Sequence, residues 1–123
     1  WTIDPSFASK SKAKKFRKRF PREFDSCFSN LQKVLDTLNA GRNLSQIDYG
    51  FLRHERNGIY RIGQTEVKNP HETRLYVCFN VEDKVIFVLG IGDKNGQTKD
   101  IGDHVKTAVK NTLLPSAKGR SQG

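Results

Sequence analysis

The chain has no apolar run approaching the roughly 18 to 20 residues that a membrane-spanning helix requires, and its N-terminus shows no basic stretch leading into an apolar core with small cleavage residues. These two absences predict a soluble, unexported, cytoplasmic protein with no membrane partner. Cysteine is nearly missing: Cys27 and Cys78 are isolated, and Cys78 lies within an apolar strand pattern. Two buried free thiols are therefore expected rather than a disulfide or a metal pair, as suits a reducing compartment. His54, His71 and His104 are scattered without metal-ligand spacing. Gly90, Gly92 and Gly96 miss the G-x-G-x-x-G spacing, and there is no P-loop. No metal and no cofactor are expected, and there is no internal repeat.

What the chain does have is positive charge. It carries a formal charge of +9 over 123 residues, the length of one domain able to bury about two-thirds of its unfolded surface. Lys10, Lys12, Lys14, Lys15, Arg17, Lys18, Arg19 and Arg22 fall within thirteen residues that contain no acid. Such a run reads as a solvated helix face, as a surface that follows a phosphate backbone, or as a clamp for an acidic partner.

Periodicity supplies the elements. "WTI" predicts a short strand ended by the turn "DPSF". Phe16, Phe20, Phe24, Phe28, Leu31, Leu35 and Leu38 recur every three or four residues, so one apolar stripe runs along helical structure from about Ser11 to Ala40. Pro21 must interrupt it, giving a basic helix that ends near Phe20 and a longer one from about Arg22, stopped by Gly41. Beyond Leu44 the period shortens. "GFLRHE" and "GIYRIGQTEV" predict two antiparallel strands joined at Asn57-Gly58, and "TRLYVCFNV" and "KVIFVLGIG" predict central strands joined at Glu82-Asp83. Val105, Ala108, Val109 and Leu113 share one face of a short terminal helix, and "PSAKGRSQG" follows as a tail.

The stretch "ETRLYVCFNVEDKVIFVLGIGDKNGQTKDI" resembles the RelE and HigB superfamily of bacterial type II toxins: an arginine strand, an acidic turn, an apolar strand and a glycine- and lysine-rich segment. "HERNGIYRIG" adds the basic strand that many members place before the arginine strand. The resemblance implies an α+β, RelE-like fold, with an N-terminal strand, two helices packed on a twisted antiparallel sheet of about four strands, and a short C-terminal helix. It places one toxin domain over residues 1–114 and a flexible tail over residues 115–123. It also implies an endoribonuclease, or mRNA interferase, that cleaves mRNA on the ribosome and is restrained by a cognate antitoxin. The implied chemistry is attack of a ribose 2′-hydroxyl on the adjacent phosphate, without metal, with fixed cations stabilising the charge that develops.

Under that resemblance Arg74 matches the family's phosphate-binding arginine, whose forked guanidinium stays charged. Arg61, one strand earlier, would orient the RNA backbone, or else form an ordinary ion pair with Glu55 or Glu72. Lys94 would neutralise the leaving oxygen or take part in proton transfer. Gln97 and Lys99 are candidates for RNA contacts in the same segment, and Lys15, Lys18, Arg19 and Arg22 for contacts from the helices. The family's late tyrosine or histidine is where this chain departs: no tyrosine follows Tyr76. His104 and Glu55 remain as candidate acid and base, with a surface histidine and a solvated hairpin acid as their plain readings. Two other functions stay open. One is a ParE-like inhibitor that binds DNA gyrase without catalysis, the other an RNA-binding module that does not cut. The apolar strand from Val85 would hold its polar continuation rigidly, while its glycines let a phosphate approach the backbone.

Overall fold

A computed structural model describes residues 1–93; the expected terminal helix and tail, with Lys94, Gln97, Lys99 and His104, lie outside that range. The described elements are β1 (Thr2–Ile3), α1 (Ser11–Arg19), α2 (Pro21–Asn39), β2 (Leu52–Arg56), β3 (Ile59–Gly63), β4 (Thr73–Asn80) and β5 (Val85–Asp93), with short 3-10 turns at Pro5–Ser9 and Leu44–Gln46. The architecture is α+β. The sheet has five strands in the order β1-β5-β4-β3-β2 and is mixed, because β1 pairs parallel with β5 while the other pairs are antiparallel. This corrects the expectation of a purely antiparallel sheet of about four strands. Two residues are too few to show a period, and β1 gains its place from the backbone bonds Thr2 N–H to Lys84 O and Asp4 N–H to Ile86 O.

The helices break where proline demands it. Phe20 takes φ −131°, ψ 65°, outside the helical region, because the following proline ring crowds its backbone, and Pro21 opens α2 at its first position. At the other end Gly41 adopts φ 98°, and the N–H groups of Gly41 and Arg42 return to Leu38 and Thr37 in a Schellman closure. Asn57 (φ 53°) and Gly58 (φ 77°) both occupy the left-handed region, which lets a two-residue turn join β2 to β3 with the right twist.

Both helices lie on one face of the sheet. Phe24, Cys27, Leu31, Val34 and Leu38 of α2 pack on Ile62, Leu75, Val77, Ile86, Val88 and Ile91. The stripe read from the sequence is therefore rotated in detail. Cys27 and Val34 sit at its centre, whereas Phe16, Phe28 and Leu35 are half-buried along its margin. Burying a side chain such as Leu31 contributes about 1.5 to 3 kcal/mol. The opposite face carries a smaller cluster of Ile59, Tyr76, Cys78 and Leu89.

Polar contacts fix the β3–β4 connection to α2. Buried Asn30 donates to the Gly63 carbonyl at 2.8 Å, Ser26 Oγ donates to Thr65 O at 2.8 Å, and the Glu23 carboxylate accepts the His71 N–H at 2.8 Å. Thr73 N–H donates to Gln64 Oε1 at 2.8 Å, closing the loop on itself. One end of β3 and β4 is thus held in place by the helix layer behind it.

Candidate functional site

The face of the sheet turned away from the helices carries the arginines. Alternation puts Arg53 of β2, Arg61 of β3 and Arg74 of β4 on that face, and the register aligns them: Arg53 opposes Arg61, Arg61 opposes Tyr76, and Gly63 opposes Arg74. Arg53, Arg61 and Arg74 line one open cleft of about 310 Å³, together with Gly63, Gln64 and Glu72. Arg61 and Arg74, assigned from different strands, are brought together.

Arg74 has glycine on both sides, Gly63 on β3 and Gly92 on β5. Each neighbouring strand thus places a glycine directly opposite it, and the cleft beside it opens toward β3 and β2. A Cβ built on Gly63 meets nothing within 4 Å, which confirms open space on that side. Neither glycine is needed there for a turn; the strand is extended. Their effect is to let a ligand approach the backbone next to a guanidinium.

Two arginines directly opposite each other in a sheet repel, a cost of a few tenths to about 1 kcal/mol. The fold offsets part of it with Glu55. A bulge between His54 and Arg56 leaves Glu55 as the extra residue of β2, and its carboxylate meets Arg61 Nε at 3.1 Å. Glu55 is therefore an ion-pair partner of Arg61 rather than a solvated hairpin acid. No ion pair to Arg53 forms among the described residues. Tyr76, next to Arg61, is fully buried.

The helix residues separate into different neighbourhoods. Lys15 and Arg19 line a second cleft of about 280 Å³ between α1 and the β4–β5 end of the sheet. Lys18 is exposed and lines neither cleft. Arg22 turns to the far side of α2, where its guanidinium donates to Lys68 O at 3.4 Å amid Asp25, Lys33 and Glu66. The break at Phe20 resets the helical phase, so Arg22 does not continue the surface of Lys15 and Arg19.

Sequence reasoning missed Arg53. Its signal was the Asn57-Gly58 turn, which fixes the hairpin register, but the one-residue bulge at Glu55 must be known before Arg53 falls opposite Arg61. It also missed His71, whose ring stacks on Phe20 at 4.0 Å with 3° between planes. Among the described residues no group of three or more metal-ligating side chains forms, and no helix is long and apolar enough to cross a membrane. The thiols of Cys27 and Cys78 are pushed up by burial, to about 12 and about 11. The Glu23 carboxyl is held below its ordinary value by the His71 N–H. Comparison with protein-family models, with curated proteins and with solved structures finds no match for the chain.

Proposed function

We propose that the chain is a RelE-like toxin of a type II toxin-antitoxin pair, an endoribonuclease that binds the RNA backbone in the arginine cleft and cleaves mRNA on the ribosome. The observation that carries this reading is the opening of Arg61 and Arg74, from neighbouring strands, into one trough floored by glycine. A single phosphodiester is the anion such a site suits. Arg74 presents paired N–H donors to two oxygens of that phosphate, Arg61 adds a second guanidinium to the same group, and Arg53 supplies charge along the flanking backbone. The net charge of +9 raises the encounter rate with ribosomal RNA and holds the protein near its substrate.

Cleavage by the neighbouring 2′-hydroxyl forms a new P–O bond and expels the 5′-oxygen, leaving a cyclic phosphate and a free hydroxyl end. The phosphorane-like transition state gains negative charge on its equatorial oxygens. Fixed guanidinium donors stabilise that charge, at about 10² to 10³ in rate for one well-placed donor. In this reading a carboxylate accepts the 2′-hydroxyl proton, a role worth about 10² to 10⁴; the candidates are Glu55, which meets Arg61 at 3.1 Å, and Glu72, which lines the cleft. A small cognate antitoxin is the partner this reading requires.

The Glu55–Arg61 pair also favours a second reading, an RNA-binding module that does not cut, because the Glu55 carboxylate is already engaged by Arg61 at 3.1 Å. One experiment separates the two. Purified protein added to a translation extract containing chelator should yield truncated mRNA with cyclic-phosphate ends, and Arg74→Ala should yield none while remaining folded. Intact mRNA that stays bound to the protein would support the second reading, and intact unbound mRNA would refute both.

A further inference from the structure

The second cleft has a different make-up from the first. Lys12, Lys15 and Arg19 project from successive turns of α1, while the floor is aromatic, with the Phe20 ring stacked on His71 and the Arg19 guanidinium 5.1 Å from the Phe20 centroid. Asp93 closes the cleft and lies 3.6 Å from His71 Nε2. Three fixed cations thus face one acid, and that acid is engaged with the imidazole. The Phe20 ring lies between His71 and Arg19, while the His71 side chain keeps 40% of its surface exposed. Cationic side chains beside such a ring are what single-stranded nucleic acid needs: charge for the phosphate and a flat face for the base.

The two clefts meet at one end of the sheet. Thr73 lines the arginine cleft and is the register partner of Asp93, which lines the second. His71 and Arg74 are three residues apart, so their Cα atoms are separated by no more than about 11 Å. A short strand of RNA crossing the end of β4 would pass from one cleft into the other.

We propose that this cleft is a nucleotide subsite for single-stranded RNA, with a phosphate on Lys15 and Arg19 and a base stacked on the Phe20–His71 pair. The inference rests on the reading of the arginine cleft as an RNA site and extends that site round the end of the sheet onto α1. The subsite supplies length and strandedness: it makes affinity depend on nucleotides beyond the one held by Arg61 and Arg74, and it rejects duplexes, whose bases are already stacked.

The test uses a 2′-O-methyl single strand of about ten nucleotides, which cannot be cleaved, carrying 2-aminopurine at successive positions, and a dinucleotide of the same chemistry. The expected results are quenching of 2-aminopurine at one position by the wild-type protein and loss of that quenching in His71→Ala. Lys15→Ala/Arg19→Ala should weaken the long strand about tenfold or more, lower its log–log salt slope by about 0.7 for one lost phosphate contact, and leave the dinucleotide unchanged. The proposal is overturned if the double variant binds the long strand as the wild type does, or if no position is quenched. It is likewise overturned if a matched duplex binds equally well, or if poly-glutamate competes as effectively as RNA, which would make the cleft a clamp for acidic protein. If Arg61→Ala/Arg74→Ala leaves the long strand bound while Lys15→Ala/Arg19→Ala releases it, the function assigned to the arginine cleft fails and the subsite stands. A wild-type protein that binds neither strand overturns both.

Discussion

Placing a carboxylate at Gly63 separates function from folding more cleanly than removing an arginine does. Gly63 opposes Arg74 across the β3–β4 ladder, and space beside it is open. Directly opposed residues have Cβ atoms about 4.5 to 5.5 Å apart, so the side chain of Gly63→Glu reaches the Arg74 guanidinium and occupies the position assigned to the phosphate. The new pair is partly exposed and contributes about 0.2 to 1 kcal/mol, and replacing glycine in an extended strand adds a similar amount by restricting the unfolded chain. The folded state should therefore be as stable as the wild type or slightly more so. RNA binding should fall by about 1.5 to 3 kcal/mol, roughly ten- to 150-fold, the range for a hydrogen bond to a charged group. Thermal unfolding followed by circular dichroism gives the first quantity, and fluorescence anisotropy with a labelled single strand gives the second. Gly63→Ala is the control, expected to retain stability and most of the affinity. The reasoning is refuted if Gly63→Glu binds RNA like the wild type, or if it loses affinity only in proportion to lost folding.

Two other expectations concern the frame that holds the site. The Glu23 carboxyl is held below its ordinary value of 4.5 by the His71 N–H, so its stabilisation is present in full above that pH and is lost as pH falls through the lower folded-state value. Glu23→Gln should accordingly melt below the wild type at neutral pH, with the gap closing as the solution is acidified; a gap independent of pH would contradict the assignment. The Cys27 and Cys78 thiols, pushed up to about 12 and about 11 by burial, should resist alkylation in the native protein and react at a rate that follows global unfolding. Rapid labelling of either thiol without denaturant would show that its cluster opens locally.

Local chemistry was legible where a residue type has one conformational consequence. Pro21 ended α1 and began α2, Asn57-Gly58 made the hairpin, and Gly41 closed α2. Pairing across the sheet was less legible. The parallel seat of β1 depends on two backbone bonds to β5, and nothing in three residues specifies it. Arg61 and Arg74 were identified from their strands, yet the feature that makes a trough, glycine on either side of Arg74, exists only once the register of β3 and β5 is known. The Glu55 bulge was invisible for the same reason: alternation counted along β2 assigns its side chain without the extra residue. In the basic run, the sequence showed charge but not direction, and the kink at Phe20 sends Arg22 away from Lys15 and Arg19.

The account depends on Arg61 and Arg74 acting on one phosphate, and a double-mutant cycle on RNA affinity measures that directly. Single strands without cleavable sugars are titrated with the wild type, Arg61→Ala, Arg74→Ala and the double variant, each shown to be folded. A shared ligand group predicts that the double variant loses less than the sum of the single losses, with a coupling of about 0.5 kcal/mol or more. Losses that add, as they do for independent sites, would place the two arginines on separate anions and contradict the claim.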